Sequence, residues 1–306
     1  MQNIKGILVS LIAPMENHIA NAGEKLLGNV SSIKRRPDER VYISGQMQRH
    51  GLFRAIERLN LSDSSRGETY VSNGDGVDNR IEVNLRSDLG GFMDPQGGNY
   101  TGRRTAPLSA TPAVALKESE IGRDLLLRLK QMDRDHSIAT REFSQGDLML
   151  MNFFLDIGAV SISKRFTYEN GFHVETEFVK HVQESERKRR VRLFLDASRI
   201  ITDYANQARN ATSGEPQQVL IVFDTILSRK GARYFQAGEK ERANIITEFT
   251  AREAKHFLGN DVEGDVSIAQ AYEQALGLLD NQDTTLYDPA GGDDNICTFA
   301  KAFETE

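Results

Sequence analysis

Between Ala22 and Arg58 the chain gathers the residue types that hold phosphate. A glycine-bearing loop with Gly23 and Gly28 leads to the basic run Lys34-Arg35-Arg36, then to a short β-prone segment. A helix follows whose first turns carry Gln48, Arg49 and His50. Glycine lets main-chain N–H groups approach an anion closely, a helix N-terminus favours negative charge, and arginine offers forked donors to phosphate oxygens. The same residues also suit a solvated loop followed by an ordinary packed helix.

Other chemistry is sparse. No Walker loop, dinucleotide fingerprint, zinc-protease helix or nucleophile elbow occurs. His50 stands beside Arg49 with no neighbour to position it as a base. Asp38 lies among Arg35, Arg36 and Arg40, where an acid near phosphate can assist RNA cleavage or hold a metal, or pair with those arginines. His173 and His181 fall in one candidate hairpin, but two histidines do not make a metal site. The lone Cys297 excludes an intramolecular disulfide framework, and no zinc spacing is present. No metal or other cofactor is expected.

The length of 306 residues, with 39% apolar and 27% charged residues, fits a globular chain with a large core. No apolar run reaches the roughly 18 residues of a membrane span. The N-terminal MQNIKGILVSLIAPMENH lacks a basic lead and a cleavage site, so it reads as a strand and the expected compartment is the cytoplasm. The net charge of −6 argues against indiscriminate coating of nucleic acid, yet it is unevenly spread. Residues 237 to 306 hold 15 acidic and 5 basic residues, leaving residues 1 to 236 at +4. Positive charge clusters at Lys34 to Arg36, Arg103-Arg104, Arg187 to Arg192 and Arg229 to Arg233, and a groove can be locally positive on an acidic protein.

Several elements must position these groups. Ile4 to Ile12 reads as a buried strand ending at Pro14. Ser44 suits a helix N-cap, and Leu52, Ala55, Ile56 and Leu59 form one apolar stripe behind it. Residues 61 to 115 are rich in Gly, Asn, Asp and Ser and read as an inserted subdomain, with a possible strand at Arg80 to Leu85. Glu118 to Gln131 reads as a helix from Ile121, Leu125 and Leu129. Leu148 to Ser163 reads as a central strand bent at Gly158, and Lys164 to Val182 as a hairpin turning at Glu169-Asn170-Gly171. Arg187 to Ala208 reads as a helix. Its cationic start opposes the helix dipole, and either an anionic partner or solvation would relieve that. Gln217 to Ile226 reads as a strand, and Glu239 to Phe257 and Ser267 to Leu279 as helices. This order predicts an α+β, ferredoxin-like sheet with helices on one face. The aromatic run used for base stacking on such sheets is absent, so base reading is not expected.

The segments AGEKLLGNVSSIKRR (22 to 36), VYISGQMQRHGLFRAI (41 to 56), DLGGFMDPQGG (88 to 98), RRTAPLSATPAVALKE (103 to 118) and LMNFFLDIGAVSISK (150 to 164), in that order, resemble the DevR-like backbone subunits of type I CRISPR surveillance complexes (Cascade). A departure is Leu89-Gly90-Gly91-Phe92, where the family favours an aromatic before a single glycine. The resemblance implies an RRM-like palm from 1 to 60 and 116 to 306, an inserted finger within 61 to 115, and a thumb hairpin at 164 to 186. It further implies a non-catalytic subunit that binds guide RNA by its sugar-phosphate backbone and stacks with copies of itself into a helical filament. That filament supports pairing with target nucleic acid alongside other Cascade subunits. Lys34, Arg35, Arg36, Gln48, Arg49, Arg103, Arg104, Lys164 and Arg165 are the expected RNA contacts. The competing expectations are a type III-like endoribonuclease that cleaves target RNA with Asp38, and a standalone RNA-binding autoregulator.

Overall fold

A computed structural model describes residues 2–25, 30–74, 78–93, 103–128, 137–208 and 210–303. Gly28 and the 94–102 part of the insertion therefore lie outside the described residues. The core is built on the strand Gly6–His18, whose first eight residues are all buried. It lies antiparallel between Gln218–Asp224 and Ser137–Asp156, with Ile7 opposite both Phe223 and Leu155. A strand flanked on both sides and covered on both faces favours apolar residues, which explains the ILVSLIA run, interrupted only by the buried Ser10.

Side-chain alternation then sorts this strand between two cores. Ile7, Val9 and Leu11 face Leu52 and Ile56 of the helix Gly45–Ser62, Phe194 of Glu184–Ser198 and Tyr272 of Ile268–Asp280. Leu8 and Ile12 join Phe154 and Leu220 beneath Phe235, Ile245 and Phe249, the last two on the helix Glu239–Ala251. The expectation of helices on one face is thereby corrected. The Glu239–Ala251 helix covers part of the second face because Leu8, Ile12, Leu220 and Val222 make that face apolar too. Pro14 does not end the strand; it sits beyond Ile12, the last residue paired with Gln218–Asp224, where a missing N–H costs no ladder bond on that side.

The mixed α+β sheet runs Lys255–Asn260, Gln218–Asp224, Gly6–His18, Ser137–Asp156, with Leu108–Ala110 and Ala113–Ala115 antiparallel on the far side of the last. Two strand–helix–strand passages generate this order: Gly6–His18 through Gly45–Ser62 to Leu108–Ala110 and Ala113–Ala115, and Ser137–Asp156 through Glu184–Ser198 to Gln218–Asp224. Ser44 caps its helix, accepting from the Met47 N–H at 3.2 Å.

Other expectations are corrected. Residues 121–128 form a strand antiparallel to Ser137–Asp156, not a helix; a spacing of four is also an even number, so Ile121 and Leu125 share one face of a strand as well. Arg80 to Leu85 makes a turn and an isolated bridge between Tyr70 and Asn84, and then enters the short helix Leu85–Gly90. The helix starting at Glu239 stops at Ala251, because Glu253 has φ 58° and Lys255–Asn260 pairs as an edge strand. The helix after the hairpin runs from Glu184 and ends at Ser198, short of the expected Ala208. The bend near Gly158 is present as a 3-10 turn, Ile157–Ala159.

Candidate nucleic-acid interface

The Lys34–Arg36 run sits on a tight excursion of the chain. Asn21 anchors its base, donating from Nδ2 to the carbonyls of Lys34 and Tyr42, both at 2.9 Å. The Arg36 N–H donates to the Arg40 carbonyl at 2.9 Å, and Glu39 turns the chain at φ 57°. A groove of about 390 Å³ is lined by Ser32, Lys34, Arg35, Arg36 and Tyr42 together with the carboxylates of Glu24 and Glu39. Not all of this charge is uncommitted. Arg35 pairs with Glu39 at 2.7 Å and lies 3.7 Å from Glu142. Arg40 pairs with Asp38 at 2.6 Å, and that hydrogen bond holds the Asp38 carboxyl below its usual range. The side chains of Lys34 and Arg36 have no ion-pair partner among the described residues. They are the two cations of the run available to an anion.

The helix entry separates into a core residue and a rim residue. Gln48 is fully buried, accepting from the Tyr204 hydroxyl at 3.3 Å, so it braces the helix against the 201–204 loop, while its Nε2 has no partner among the described residues. Arg49 is half-buried and donates from Nη2 to the Gly90 carbonyl at 2.6 Å; burial lowers its pKa. Beside it lies Arg86, which the sequence reading did not single out. Its guanidinium stands 4.8 Å from the Phe53 ring centroid and donates from Nε to the Ser72 carbonyl at 2.5 Å. Burial is the main cause of a lowered Arg86 pKa, with Glu57 opposing and the positive charges of Arg49 and Arg54 adding to it. Two guanidiniums thus share the seam of helix and insertion, with the Glu57 carboxylate near enough to offset part of their charge. The only sequence signal for Arg86 was an arginine in a Gly- and Asn-rich insertion.

Arg104 is corrected from a candidate contact to an internal strut. It is buried and donates to Asp88 Oδ1 at 2.6 Å and to the carbonyls of Ala159 at 2.7 Å and Ile162 at 2.8 Å. Arg103 precedes it on the strand pair with Phe92–Met93. The Arg187 to Arg192 cluster is likewise internal at its centre. Arg187 and Arg190 are fully buried. Arg187 donates to the carbonyls of Val160, Ile157 and Tyr287. Arg190 pairs with Asp88 at 2.7 Å and Glu186 at 2.8 Å. The cationic helix start is therefore relieved at Arg187 and Arg190 by Glu184, Glu186, Asp88 and loop carbonyls.

The hairpin Ile162–Glu169/Phe172–Lys180 forms its own two-stranded sheet. Asn170 at φ 50° and Gly171 at φ 82° supply the positive φ pair that a two-residue turn matching strand twist needs. Arg165 is engaged, pairing with Glu177 at 2.5 Å and donating to the Ala302 carbonyl at 3.3 Å. Lys164 is exposed, 5.8 Å from the Phe178 ring centroid, and its charge acts on the Asp156 carboxylate without a direct ion pair among the described residues. Toward the tip, Phe166 and Tyr168 meet the His173 ring edge-on, and Phe172 is 75% exposed. Exposed aromatics are thus concentrated on one narrow ribbon. His181, by contrast, is buried at the hairpin's root, where burial pushes its pKa down to about 4. Among the described residues no group of three His, Cys, Asp or Glu side chains is placed to hold a metal, and no helix is long and apolar enough to cross a membrane.

No family model matches this sequence, and no curated protein matches it. Solved structures do match in fold. A chain of a structure titled "CRISPR RNA-guided surveillance complex" superposes with a TM-score of 0.54 at 13% identity, covering 89% of this chain and 98% of that one. A chain of a "CRISPR RNA-guided surveillance complex, pre-nicking" gives a TM-score of 0.50 at 12% identity, covering 92% and 96%. The likeness is one of fold and spans nearly the whole of each chain.

Proposed function

We propose that this chain is a backbone subunit of a Cascade-type CRISPR surveillance complex. It grips guide RNA through the sugar-phosphate backbone and stacks with further copies into a helical filament on which guide and target pair. The observation that carries this reading is the end-to-end fold likeness to chains of RNA-guided surveillance complexes, which share so little sequence that fold is what they have in common. The sheet order, with its two strand–helix–strand passages, fits an RRM-like palm. The 61 to 115 insertion then acts as a finger and the aromatic hairpin as a thumb.

Lys34 and Arg36 supply charge for phosphate that no direct ion pair among the described residues takes up, Arg36 acting on Asp38 only at a distance, with Arg49 and Arg86 as a second cationic position. A subunit that must accept any spacer holds phosphate and sugar and leaves sequence recognition to base pairing. The reading assigns no catalytic step to the chain and places it in the cytoplasm. It is tested by purifying the protein from cells that transcribe a cognate repeat array. A uniform RNA of guide length in a multi-copy assembly is expected. An RNA-free monomer would overturn it and favour a standalone regulator.

A further inference from the structure

Lys180 ends the return strand of the hairpin and is only 2% exposed, an expensive place for an ammonium. It is held there by a segment from far along the chain. Asp288 and Asp293 each lie 2.6 Å from its Nζ, with Glu184 at 3.3 Å. Burial works against the charge, yet these carboxylates keep the Lys180 pKa above its ordinary value. Asp293 also accepts from the backbone N–H of Glu184 at 3.2 Å. It thereby does the capping work at the start of the Glu184–Ser198 helix that Gln183 leaves undone.

The same segment continues along the hairpin root. The Cys297 N–H donates to the Lys180 carbonyl at 3.2 Å, and His181 Nδ1 donates to the Cys297 carbonyl at 2.8 Å. The Phe299 N–H donates to Glu82 of the insertion at 3.2 Å, and its ring packs edge-on against Phe92. Arg165, on the outgoing strand, reaches the Ala302 carbonyl. The segment is thus tied to both hairpin strands, to the helix that follows and to the insertion. As strands the two pair only with each other among the described residues, with Arg104 holding the start of the outgoing strand at Ile162 and Ser163, and a two-stranded ribbon alone is marginal.

We infer that residues 288–303 form a strap that fixes the direction of the hairpin, and that loosening its carboxylate grip on Lys180 releases the hairpin arm while the sheet stays folded. The inference stands apart from the proposed function, since it concerns what holds the arm and not what the arm contacts.

The experiment is hydrogen exchange on the full chain carrying Asp288→Asn and Asp293→Asn. Amides of 164–178 are expected to exchange about tenfold or more faster while those of 7–12 and 219–223 are unchanged. Unchanged exchange in the hairpin, or equal acceleration across the sheet, would overturn it. Arg165→Gln, which cuts the Ala302 tie and the cross-strand Glu177 pair, covers the case of poor folding when set beside Glu177→Gln, which cuts the pair alone; a larger acceleration confined to the hairpin is expected for Arg165→Gln, and equal effects would contradict the strap. Direction is read separately, with spin labels at Glu169→Cys and Lys240→Cys in a Cys297→Ser background. The distance distribution is expected to broaden in the double variant, and an unchanged one overturns the inference.

Discussion

Asp88→Asn is the most demanding perturbation of this architecture. The Asp88 carboxylate is fully buried and accepts four hydrogen bonds: from Arg104 Nη2 at 2.6 Å, Arg190 Nη1 at 2.7 Å, and the Ser161 N–H and Oγ, both at 2.8 Å. It thereby joins the insertion, the hairpin root and the Glu184–Ser198 helix. Burial alone would push its carboxyl up; Arg190 and then Arg104 reverse this and hold it below its usual value of 3.8. Asparagine keeps the shape but turns an NH2 toward a donor and takes a buried carboxylate from two guanidiniums, Arg190 keeping Glu186. Removing one partner from a buried charge pair costs about 3–5 kcal/mol. Against a total stability of about 5–15 kcal/mol that is a large fraction.

The assay is urea unfolding at pH 7, read as a lower midpoint at unchanged slope. Asp280→Asn, which removes the exposed partner of Arg192, is the control and should cost no more than about 1 kcal/mol. The Asp88 contribution is complete above pH 3.8 and is lost as pH falls through the lower folded value, so the gap between wild type and variant should close in strong acid. A cost for Asp88→Asn below about 1 kcal/mol at pH 7 would refute the role given to this cluster.

Three further outcomes are expected. His181 stays neutral in the fold down to about pH 4 while the unfolded chain takes up its proton near 6.5, so acid favours unfolding. About 3 kcal/mol should be lost between those values in wild type and recovered in His181→Gln, and equal pH slopes in the two proteins would contradict this. Gly91→Ala should cost about 2 kcal/mol or more in urea melts, because φ is +68° and a Cβ would stand 2.5 Å from the Arg104 carbonyl oxygen; Gly67→Ala, at φ +56° in open space, should cost about 1. Assembled complex given matched target RNA and a divalent metal should make no periodic cuts; cuts abolished by Asp38→Ala would instead establish the endoribonuclease reading.

The amphipathic helix at Gly45–Ser62, its Ser44 cap and the Asn170-Gly171 turn were legible because each depends on local spacing and backbone preference. The 121–128 strand was not, since Ile121 and Leu125 satisfy both periods and pairing with Thr140 and Ser144 decides between them. For the site, the Lys34–Arg36 run announced its charge, yet which cations remain uncommitted depends on Glu39, only three residues past Arg36, and on Glu142, more than a hundred away. Arg104 and Arg190 read as surface cations until Asp88 draws both inward. Charge is visible in a sequence; its compensation is a property of the fold.

The central claim is that Lys34 and Arg36 hold guide RNA by its phosphates, and the salt dependence of binding tests it most directly. Each lost phosphate contact to a single strand should lower the slope of log K against log salt by about 0.7. Lys34→Ala with Arg36→Ala should therefore reduce it by about 1.4, equally for guides of unrelated sequence, whereas Arg35→Ala, already paired, should change it less. An unchanged slope in the folded double variant, or a loss confined to one guide sequence, would contradict the account.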